Sequence, residues 1–199
     1  MSYSQNYEKW SNFEQLPDYL RQELLQMDEK TKEDAFYTNL EFGTAGMRGY
    51  IGAGTNRINI YVVRQATEGL AKLIETKGDE AKKRGVAIAY DSRHFSPEFA
   101  FESAQVLAQH GIKSYVFESL RPTPELSFAV RHLGTFAGIM ITASHNPAPF
   151  NGYKVYGEDG GQMPPADADA LTDFIRTIED PFTIALADLE ESKASGLIE

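Results

Sequence analysis

Residues 85–141 read GVAIAYDSRHFSPEFAFESAQVLAQHGIKSYVFESLRPTPELSFAVRHLGTFAGIMI. Short apolar runs alternate here with longer segments whose apolar residues recur every three or four positions, a pattern typical of strands alternating with helices. The predicted elements are a strand over Gly85–Tyr90, a helix from Ser96 to His110, a strand over Ile112–Phe117, a helix over Pro124–Leu133 and a strand over Phe136–Ile141. Crossover units of this kind build a parallel sheet covered by helices. We therefore expect an α/β fold with a mixed, mainly parallel sheet between helical layers.

The ends of these elements indicate where a site should lie. Ser96 is predicted to be an N-cap and Pro97 to occupy the first helical turn. Ligands of mainly parallel sheets gather at the carboxyl ends of the strands. The loop after Ile141 is therefore predicted to hold functional residues.

The flanking segments add helices and one strand. Residues 1–40 carry apolar residues at helical spacing, such as Leu20 and Leu24, and are predicted to form helices outside the main core. The other predicted elements are an amphipathic helix that begins near Ile58 and is closed by Gly78, a short strand over Gly152–Tyr156 and a helix over Ala166–Ile178. Residues 181–199 mix isolated apolar residues with Glu and Ser, which favours the start of a linker.

Composition narrows the class of protein. Nineteen basic and twenty-nine acidic residues give a net charge of -10, which argues against a nucleic-acid partner. There is no apolar run of about eighteen residues, so we expect no membrane partner. The chain has no cysteine, which removes disulfides and thiolate metal sites and favours a cytoplasmic location. An anionic small molecule can still bind where a few cations converge.

A polar turn follows the last predicted strand. Residues 142–147 read TASHNP, which brings the hydroxyl of Ser144, the imidazole of His145 and the carboxamide of Asn146 together. The spacing alone is compatible with a catalytic loop or with an ordinary polar loop.

Two motifs resemble those of one enzyme family. TASHNP, followed by Phe150-Asn151-Gly152-Tyr153-Lys154-Val155-Tyr156, resembles the active-serine signature of the alpha-D-phosphohexomutase superfamily. Residues 41–49, EFGTAGMRG, resemble the N-terminal signature of the same family, and IGAGTNRINIY at residues 51–61 resembles its bacterial phosphoglucomutase branch. The resemblance covers nearly the whole chain.

The resemblance implies a set of catalytic roles. In that family a phosphorylated serine gives its phosphoryl group to a hydroxyl of a hexose phosphate, and the resulting bisphosphate returns its other phosphate to the serine. By matched position this serine is Ser144. His145 matches the histidine beside it, a potential acid or base. Arg48 and Lys154 match positive side chains that offset charge on the transferring group.

The resemblance also implies residues that bind phosphate or substrate. These are Thr44, Gly46, Arg48, Asn146, Asp91 and Arg93. The glycines of residues 41–49 can let the backbone approach the phosphoserine, although a purely structural turn remains an alternative. For Asp91 and Arg93 the alternative is an ordinary salt bridge at a strand end.

A metal ion belongs to the same implied chemistry. Family members hold Mg²⁺ with the serine phosphate and with three aspartates of an Asp-Gly-Asp-x-Asp loop in their second domain, so Ser144 would bind the metal through its phosphate. That loop is absent from this sequence. The nearest imitation, Asp167-Ala168-Asp169, lies in a predicted helix and is interpreted as part of a solvated face. Glucose 1,6-bisphosphate is the implied activator.

The resemblance predicts the organisation of the chain and leaves its substrate open. Residues 1–40 would be an N-terminal helical extension, residues 41–180 the active-serine domain, and residues 181–199 the start of a linker to a second domain of the same chain. Glucose 1-phosphate and glucose 6-phosphate are the expected substrates, with phosphomannomutase or phosphopentomutase activity as alternatives. The isolated chain is expected to be inactive, and a non-catalytic sugar-phosphate binding or interaction module is the alternative of another class.

Overall fold

The computed structural model describes residues 2–43 and 46–199. The helices are α1 (Tyr3–Ser11), α2 (Asp18–Gln26), α3 (Glu29–Phe36), α4 (Ile60–Thr76), α5 (Asp79–Arg84), α6 (Ser96–Gln109), α7 (Thr123–Leu133), α8 (Pro165–Arg176) and α9 (Leu189–Ala194), with a 3-10 turn at Pro181–Thr183. The strands are β1 (Met47–Tyr50), β2 (Val86–Tyr90), β3 (Ser114–Val116), β4 (Ala137–Ile141) and β5 (Phe150–Tyr156). No helix in these two described ranges is long and apolar enough to span a bilayer.

Over the described residues the strands form one sheet in the order β1-β5-β4-β2-β3. β2 pairs in parallel with β3 and β4, whereas β5 runs antiparallel to β4 and to β1. Every strand except β5 therefore points the same way, which confirms the predicted mixed, mainly parallel sheet. Tyr90 and Ile141 are paired at the ends of β2 and β4, and the Asp91 amide donates to the Ile141 carbonyl at 3.1 Å. The loops after these two strands thus begin side by side.

Strand side chains alternate between two core faces, as the two-residue period of a strand requires. Ile88 and Ile139 belong to the larger core, which includes side chains of α4, α6 and α8. Ala89 and Met140 face the other way and pack against α7. The α4–α8 contact is close enough that a Cβ on Gly69 would lie 2.5 Å from the Ile175 side chain. The predicted helical layers on both faces are therefore present.

The N-terminal helices are continuous with the larger core. The Trp10 ring packs edge to face on Phe36, Tyr61 and Phe182, with centroid distances of 5.8, 5.5 and 5.2 Å. Leu20 is fully buried in the same cluster. The expectation that these helices pack outside the main core is wrong, because their aromatic side chains interlock with α4.

The start of α6 differs from its prediction. The N-cap is Phe95, which has a left-handed φ of 63° and gives no side-chain cap, and Ser96 is the first helical residue. Ser96 Oγ donates instead to Asp91 Oδ1 at 3.0 Å. Pro97 lies in the first turn as predicted. The sequence pattern located the helix start, but the Ser96 hydroxyl bonds to Asp91 in the preceding loop and to Asn151 of β5 instead of capping α6.

The C-terminal residues pack along the outer edge of the sheet. The Ser114 amide donates to the Leu197 carbonyl at 2.8 Å, and the Val116 amide donates to the Glu199 carbonyl at 2.7 Å. Ile198 is buried in the larger core. This segment covers backbone groups that β3 would otherwise leave open at the sheet edge. The predicted boundary at residue 180 stays a prediction.

His110 joins α6 to α4 at the end of α6. Its Nε2 lies 2.8 Å from Glu68 Oε2 and its Nδ1 lies 2.9 Å from Glu75 Oε1. Burial of the imidazole opposes its charge, but the hydrogen bonds with Glu75 and Glu68 outweigh burial and raise the pKa of His110 above 6.5. The charged imidazole therefore stabilises the helix pair.

We predict that His110→Gln destabilises the fold in a pH-dependent way. A raised folded-state pKa gives stabilisation that is complete below the unfolded-state pKa and is lost as the pH rises through the folded-state value. The loss should be about 1 kcal/mol near pH 6, or roughly 2–4 °C in Tm, and should shrink by about pH 9. Thermal unfolding across this range measures it. His132→Gln, whose ring stacks on Phe128, is the control, and an equal loss at both pH values would refute the argument.

Candidate active site

The serine loop, residues 142–149, joins β4 to the antiparallel strand β5 at the carboxyl edge of the sheet. Ser144 is exposed and has a left-handed φ of 57°. This conformation costs a non-glycine residue roughly 1 kcal/mol, so surrounding contacts must hold it. The Ser144 amide donates to Thr142 Oγ1 at 2.9 Å, and the Asn146 amide donates to the Ala143 carbonyl at 3.1 Å. The turn therefore presents the Ser144 hydroxyl outwards from a fixed backbone.

His145 lies next to the candidate nucleophile. Its Nδ1 is 3.5 Å from Ser144 Oγ, at the long limit of a hydrogen bond, and its side chain is exposed. The imidazole can therefore exchange a proton with a group bound at Ser144 after a small rotation.

Arg48 approaches the loop from β1. It pairs with Gly152 of β5, and its Nη1 donates to Asn146 Oδ1 at 3.2 Å. Arg48 is exposed, and Asn146 is its one side-chain hydrogen-bond partner in the part of the chain that the structure describes. The structure thus brings Arg48, Asn146 and Ser144 together, as the sequence predicted.

Lys154 lies deeper in the same site, on β5 opposite Met140. It is 8% exposed, and the described part of the chain supplies no hydrogen-bond or ion-pair partner for its Nζ. Burial lowers the pKa of Lys154, and the positive charge of Arg48 lowers it further, whereas Asp91 raises it. A buried cation without a partner is costly, and a bound anion would remove that cost.

Gly46 allows the glycine-rich segment to contact β5. It exchanges two backbone hydrogen bonds with Gly43 and has a φ of 86°. A Cβ here would collide with the Tyr153 carbonyl oxygen and lie 2.8 Å from the Lys154 Cα. The amide of Gly46 already donates to Gly43, so its observed role is close packing beside Lys154. Thr44, predicted to bind phosphate, lies outside the described residues.

Asp91 and Arg93 follow β2 and reach the serine loop from the other side. Asp91 Oδ1 accepts from the Arg93 amide and from Ser96 Oγ, both at 3.0 Å. The Arg93 Nη atoms donate to carbonyl oxygens of the serine loop and β5, and its Nε lies 3.4 Å from Asp91 Oδ2. This geometry is at odds with the expectation that Arg93 binds phosphate, because its donors are occupied within the protein. For Asp91, the geometry fits the alternative of a salt bridge at a strand end better than it fits phosphate binding.

Two residues of the site were not singled out by sequence reasoning. Thr142 holds the Ser144 amide through its hydroxyl. Asn151 is fully buried, and its Nδ2 donates to the His94 carbonyl at 3.0 Å and to Ser96 Oγ at 2.9 Å. The hydroxyl two positions before Ser144 was a readable signal for Thr142. The partners of Asn151 lie more than fifty residues away in sequence, so its role had no local signal.

An open cavity of about 380 Å³ adjoins the serine loop and is lined by Asp91, Ser92, Arg93, His94, Ser144, Asn146 and Ala148. The Ser144 hydroxyl lines this cavity, with the His145 imidazole beside it and the Arg48 guanidinium bound to Asn146 of the same loop. A hydroxyl nucleophile with an imidazole and a cation next to it suits transfer of an anionic group. Among the described residues no group of three or more acidic or histidine side chains can hold a metal ion. Asp167 and Asp169 lie on α8, as predicted, and Asp169 is exposed.

The comparisons with known proteins agree with this geometry. Residues 39–181 match the family model described as phosphoglucomutase/phosphomannomutase, alpha/beta/alpha domain I. The chain is 43% identical over 170 residues to a phosphoglucomutase of Staphylococcus saprophyticus, covering 85% of this chain and 30% of that protein. It is 44% identical over 153 residues to a phosphoglucomutase of Staphylococcus aureus, covering 77% of this chain and 27% of that protein. The chain thus spans about a third or less of these relatives.

Solved structures show the same fold. A putative phosphomannomutase from Thermus thermophilus superposes with a TM-score of 0.62 at 31% identity, covering 69% of this chain and 30% of that chain. The open form of parafusin, a phosphoglucomutase from Paramecium, also gives a TM-score of 0.62, over 79% of this chain and 28% of that chain. At 21% identity the second likeness shows the fold alone. The resemblance seen in the two motifs is confirmed: the chain belongs to the phosphoglucomutase/phosphomannomutase family, with its alpha/beta/alpha domain I at residues 39–181.

Proposed function

We propose that this chain is the phosphoserine-bearing part of a phosphohexomutase that interconverts glucose 1-phosphate and glucose 6-phosphate through a bisphosphate intermediate. The observation that carries the proposal is the exposed Ser144 hydroxyl, held in a left-handed turn whose Asn146 binds Arg48. The buried Lys154 on β5, near enough to Arg48 and Asp91 for their charges to act on it, adds a second cation. A rigid nucleophile next to two cations suits phosphoryl transfer, which depends mainly on positioning and on compensation of charge.

The chemistry requires two transfers that balance each other. In the first, the bond between phosphorus and Ser144 Oγ breaks as a bond forms between phosphorus and a sugar hydroxyl oxygen. The hydroxyl proton passes to solvent or to a base, and the released Ser144 Oγ takes up a proton, which His145 can supply because its Nδ1 lies 3.5 Å from that oxygen. The bisphosphate then turns round, and Ser144 Oγ returns its proton to His145 as it forms a bond to the other phosphorus. The sugar oxygen released in this second transfer takes up a proton from solvent or from a base.

Charge compensation explains the two cations. A phosphoserine carries about -1.5 to -2 charges, which repel an anionic sugar phosphate unless they are offset. Arg48 is exposed, and with one donor used on Asn146 among the described residues its guanidinium can bind phosphate oxygens in pairs. Lys154 gains an electrostatic partner once Ser144 is phosphorylated. The positive charges of the site are therefore better compensated when Ser144 is phosphorylated than when it is not.

The substrate, metal and location are finer parts of this proposal. The phosphoglucomutase relatives support glucose phosphates, and the Thermus thermophilus protein supports mannose phosphates as the alternative. The described residues do not form an Mg²⁺ site by themselves, so we propose that phosphorylated Ser144 contributes one ligand and other domains of the same protein the rest. Glucose 1,6-bisphosphate is the proposed activator. The cysteine-free composition supports a cytoplasmic location.

We predict that Ser144 is the residue that carries the phosphate. Ser144→Ala in the complete enzyme should abolish turnover, and intact-mass analysis after incubation with glucose 1,6-bisphosphate should show one added phosphate in the wild type and none in the variant. Ser92→Ala removes a serine of the same cavity and should retain turnover. Phosphate found at another serine would overturn the assignment.

A second prediction separates the stability effect of Lys154 from its effect on turnover. A lowered folded-state pKa means that the charge on Lys154 destabilises the unphosphorylated fold at neutral pH, and this cost disappears as the pH rises above 10.5. Lys154→Met should raise Tm by roughly 2–4 °C near pH 7, corresponding to about 1 kcal/mol. It should lower kcat of the complete enzyme by roughly a hundredfold or more.

The matched control is Lys77→Met, because Lys77 forms only a surface ion pair with Asp167 at 3.8 Å. Its Tm and kcat should stay near the wild-type values. If Lys154→Met lowered Tm or left kcat unchanged, Lys154 would be an ordinary structural residue.

A third prediction concerns the 199-residue chain on its own. Its continuous core should give cooperative thermal unfolding, whereas conversion of glucose 1-phosphate should be unmeasurable even with Mg²⁺ and glucose 1,6-bisphosphate. The reason is that the serine loop lacks most of the groups needed to neutralise the phosphates. Robust turnover by this chain would show that the remaining domains are dispensable.

A further inference from the structure

The Arg93 guanidinium is saturated by the protein itself. Nη1 donates to the carbonyl oxygens of Pro147 at 3.0 Å and Phe150 at 2.9 Å. Nη2 donates to the carbonyl oxygens of Ser144 at 2.9 Å and Asn146 at 2.7 Å. Nε faces Asp91 at 3.4 Å. An arginine has five N–H donors; four of them bind carbonyl oxygens here, and Nε forms an ion pair with Asp91.

These contacts enclose the nucleophile. The Ser144 amide is bound by Thr142 Oγ1, and its carbonyl oxygen is bound by Arg93. Both peptide groups of Ser144 are thereby fixed, which holds φ at 57° against the preference of a residue with a Cβ. Without the guanidinium, four carbonyl groups would turn to water and the serine backbone could relax to a negative φ.

Arg93 is itself held in place. Its side chain is 13% exposed, and Asp91 binds it twice, through the Arg93 amide at 3.0 Å and through Nε at 3.4 Å. Asn151 fixes the same loop by donating to the His94 carbonyl at 3.0 Å. A side chain immobilised by its own neighbours can position a reactive group accurately.

Arg48 shows what an arginine free to bind phosphate looks like in this site. It is exposed and contacts the loop through one donor, to Asn146 Oδ1. The two arginines carry the same charge, but of this pair it is Arg48 whose guanidinium meets a single partner among residues 2–43 and 46–199. Direct phosphate binding therefore suits Arg48, whereas the hydrogen bonds of Arg93 suit a positioning role.

We propose that Arg93 is a positioning residue that holds Ser144 in its left-handed, outward-facing conformation by binding the carbonyl groups of the serine loop, and that it does not bind the substrate phosphate. The effect of Arg93 on the Ser144 conformation can be tested without mutase activity. The effect of Arg93 on turnover rests on the function proposed above.

The test uses nuclear magnetic resonance of the 199-residue chain. The distance between the amide and α protons of one residue is shorter at positive φ, so the Ser144 cross-peak reports its conformation directly. Arg93→Met should lengthen this distance, and Arg93→Lys should have an intermediate effect, because one ammonium with three donors cannot replace four carbonyl contacts. Arg93→Lys also supplies the measurement if Arg93→Met fails to fold.

Arg84→Met is the matched control. Arg84 likewise binds carbonyl oxygens, of Gly134 at 2.8 Å and Thr135 at 3.1 Å, but these precede β4 at the opposite edge of the sheet. The Arg84→Met variant should leave the distance between the amide and α protons of Ser144 unchanged even if Tm falls. A left-handed Ser144 in both Arg93 variants would overturn the proposal.

Kinetics of the complete enzyme test the consequence for turnover. Arg93→Met should lower kcat about a hundredfold, as misplacement of a reacting group does, with KM changed by less than about threefold. A large rise in KM with unchanged kcat would instead show that Arg93 binds substrate and would overturn the proposal. If the wild-type enzyme showed no mutase activity while the Ser144 distance responded as expected, the proposed function would fail and the positioning role would stand.

Discussion

Parallel pairing of β2 with β4 ends both strands at one edge of the sheet, with Tyr90 directly opposite Ile141. The loops after β2 and β4 therefore leave this edge side by side. The first loop supplies an arginine, and the second supplies the carbonyl groups that this arginine binds. β5 then returns antiparallel with Lys154, and β1 adds Arg48 beside it. The arrangement of the site follows from strand order and register before any ligand is considered.

Charge is distributed unevenly in this acidic chain. The net charge is -10, yet Arg48 and Arg93 both bind the serine loop, and Lys154 lies close enough to Arg48 for the two charges to interact. Their surroundings give them different functions. Arg93 uses its donors on the backbone, Arg48 is exposed and binds Asn146, and Lys154 is buried with no ion-pair partner among the described residues.

Sequence patterns predicted what depends on local periodicity. The amphipathic repeat of α4 and the apolar runs of β2 and β4 were placed within a few residues, and the serine loop was located at a strand end. The features that the patterns did not predict depend on contacts outside the repeat of a single helix or strand. Ser96 bonds to Asp91 instead of capping α6, and Arg93 bonds to a loop about fifty residues further on. Neither partner can be inferred from neighbours in the chain, because residue type specifies how many donors exist but not what they meet.

The ring of Tyr19 on α2 stacks on Phe95 with centroids 5.2 Å apart, and Phe95 is the left-handed residue that ends the loop carrying Arg93. The match to the family model begins only at residue 39, so this support comes from a segment outside it. A substitution at Tyr19 therefore removes a ring contact from the loop that carries Arg93 while leaving both motifs intact.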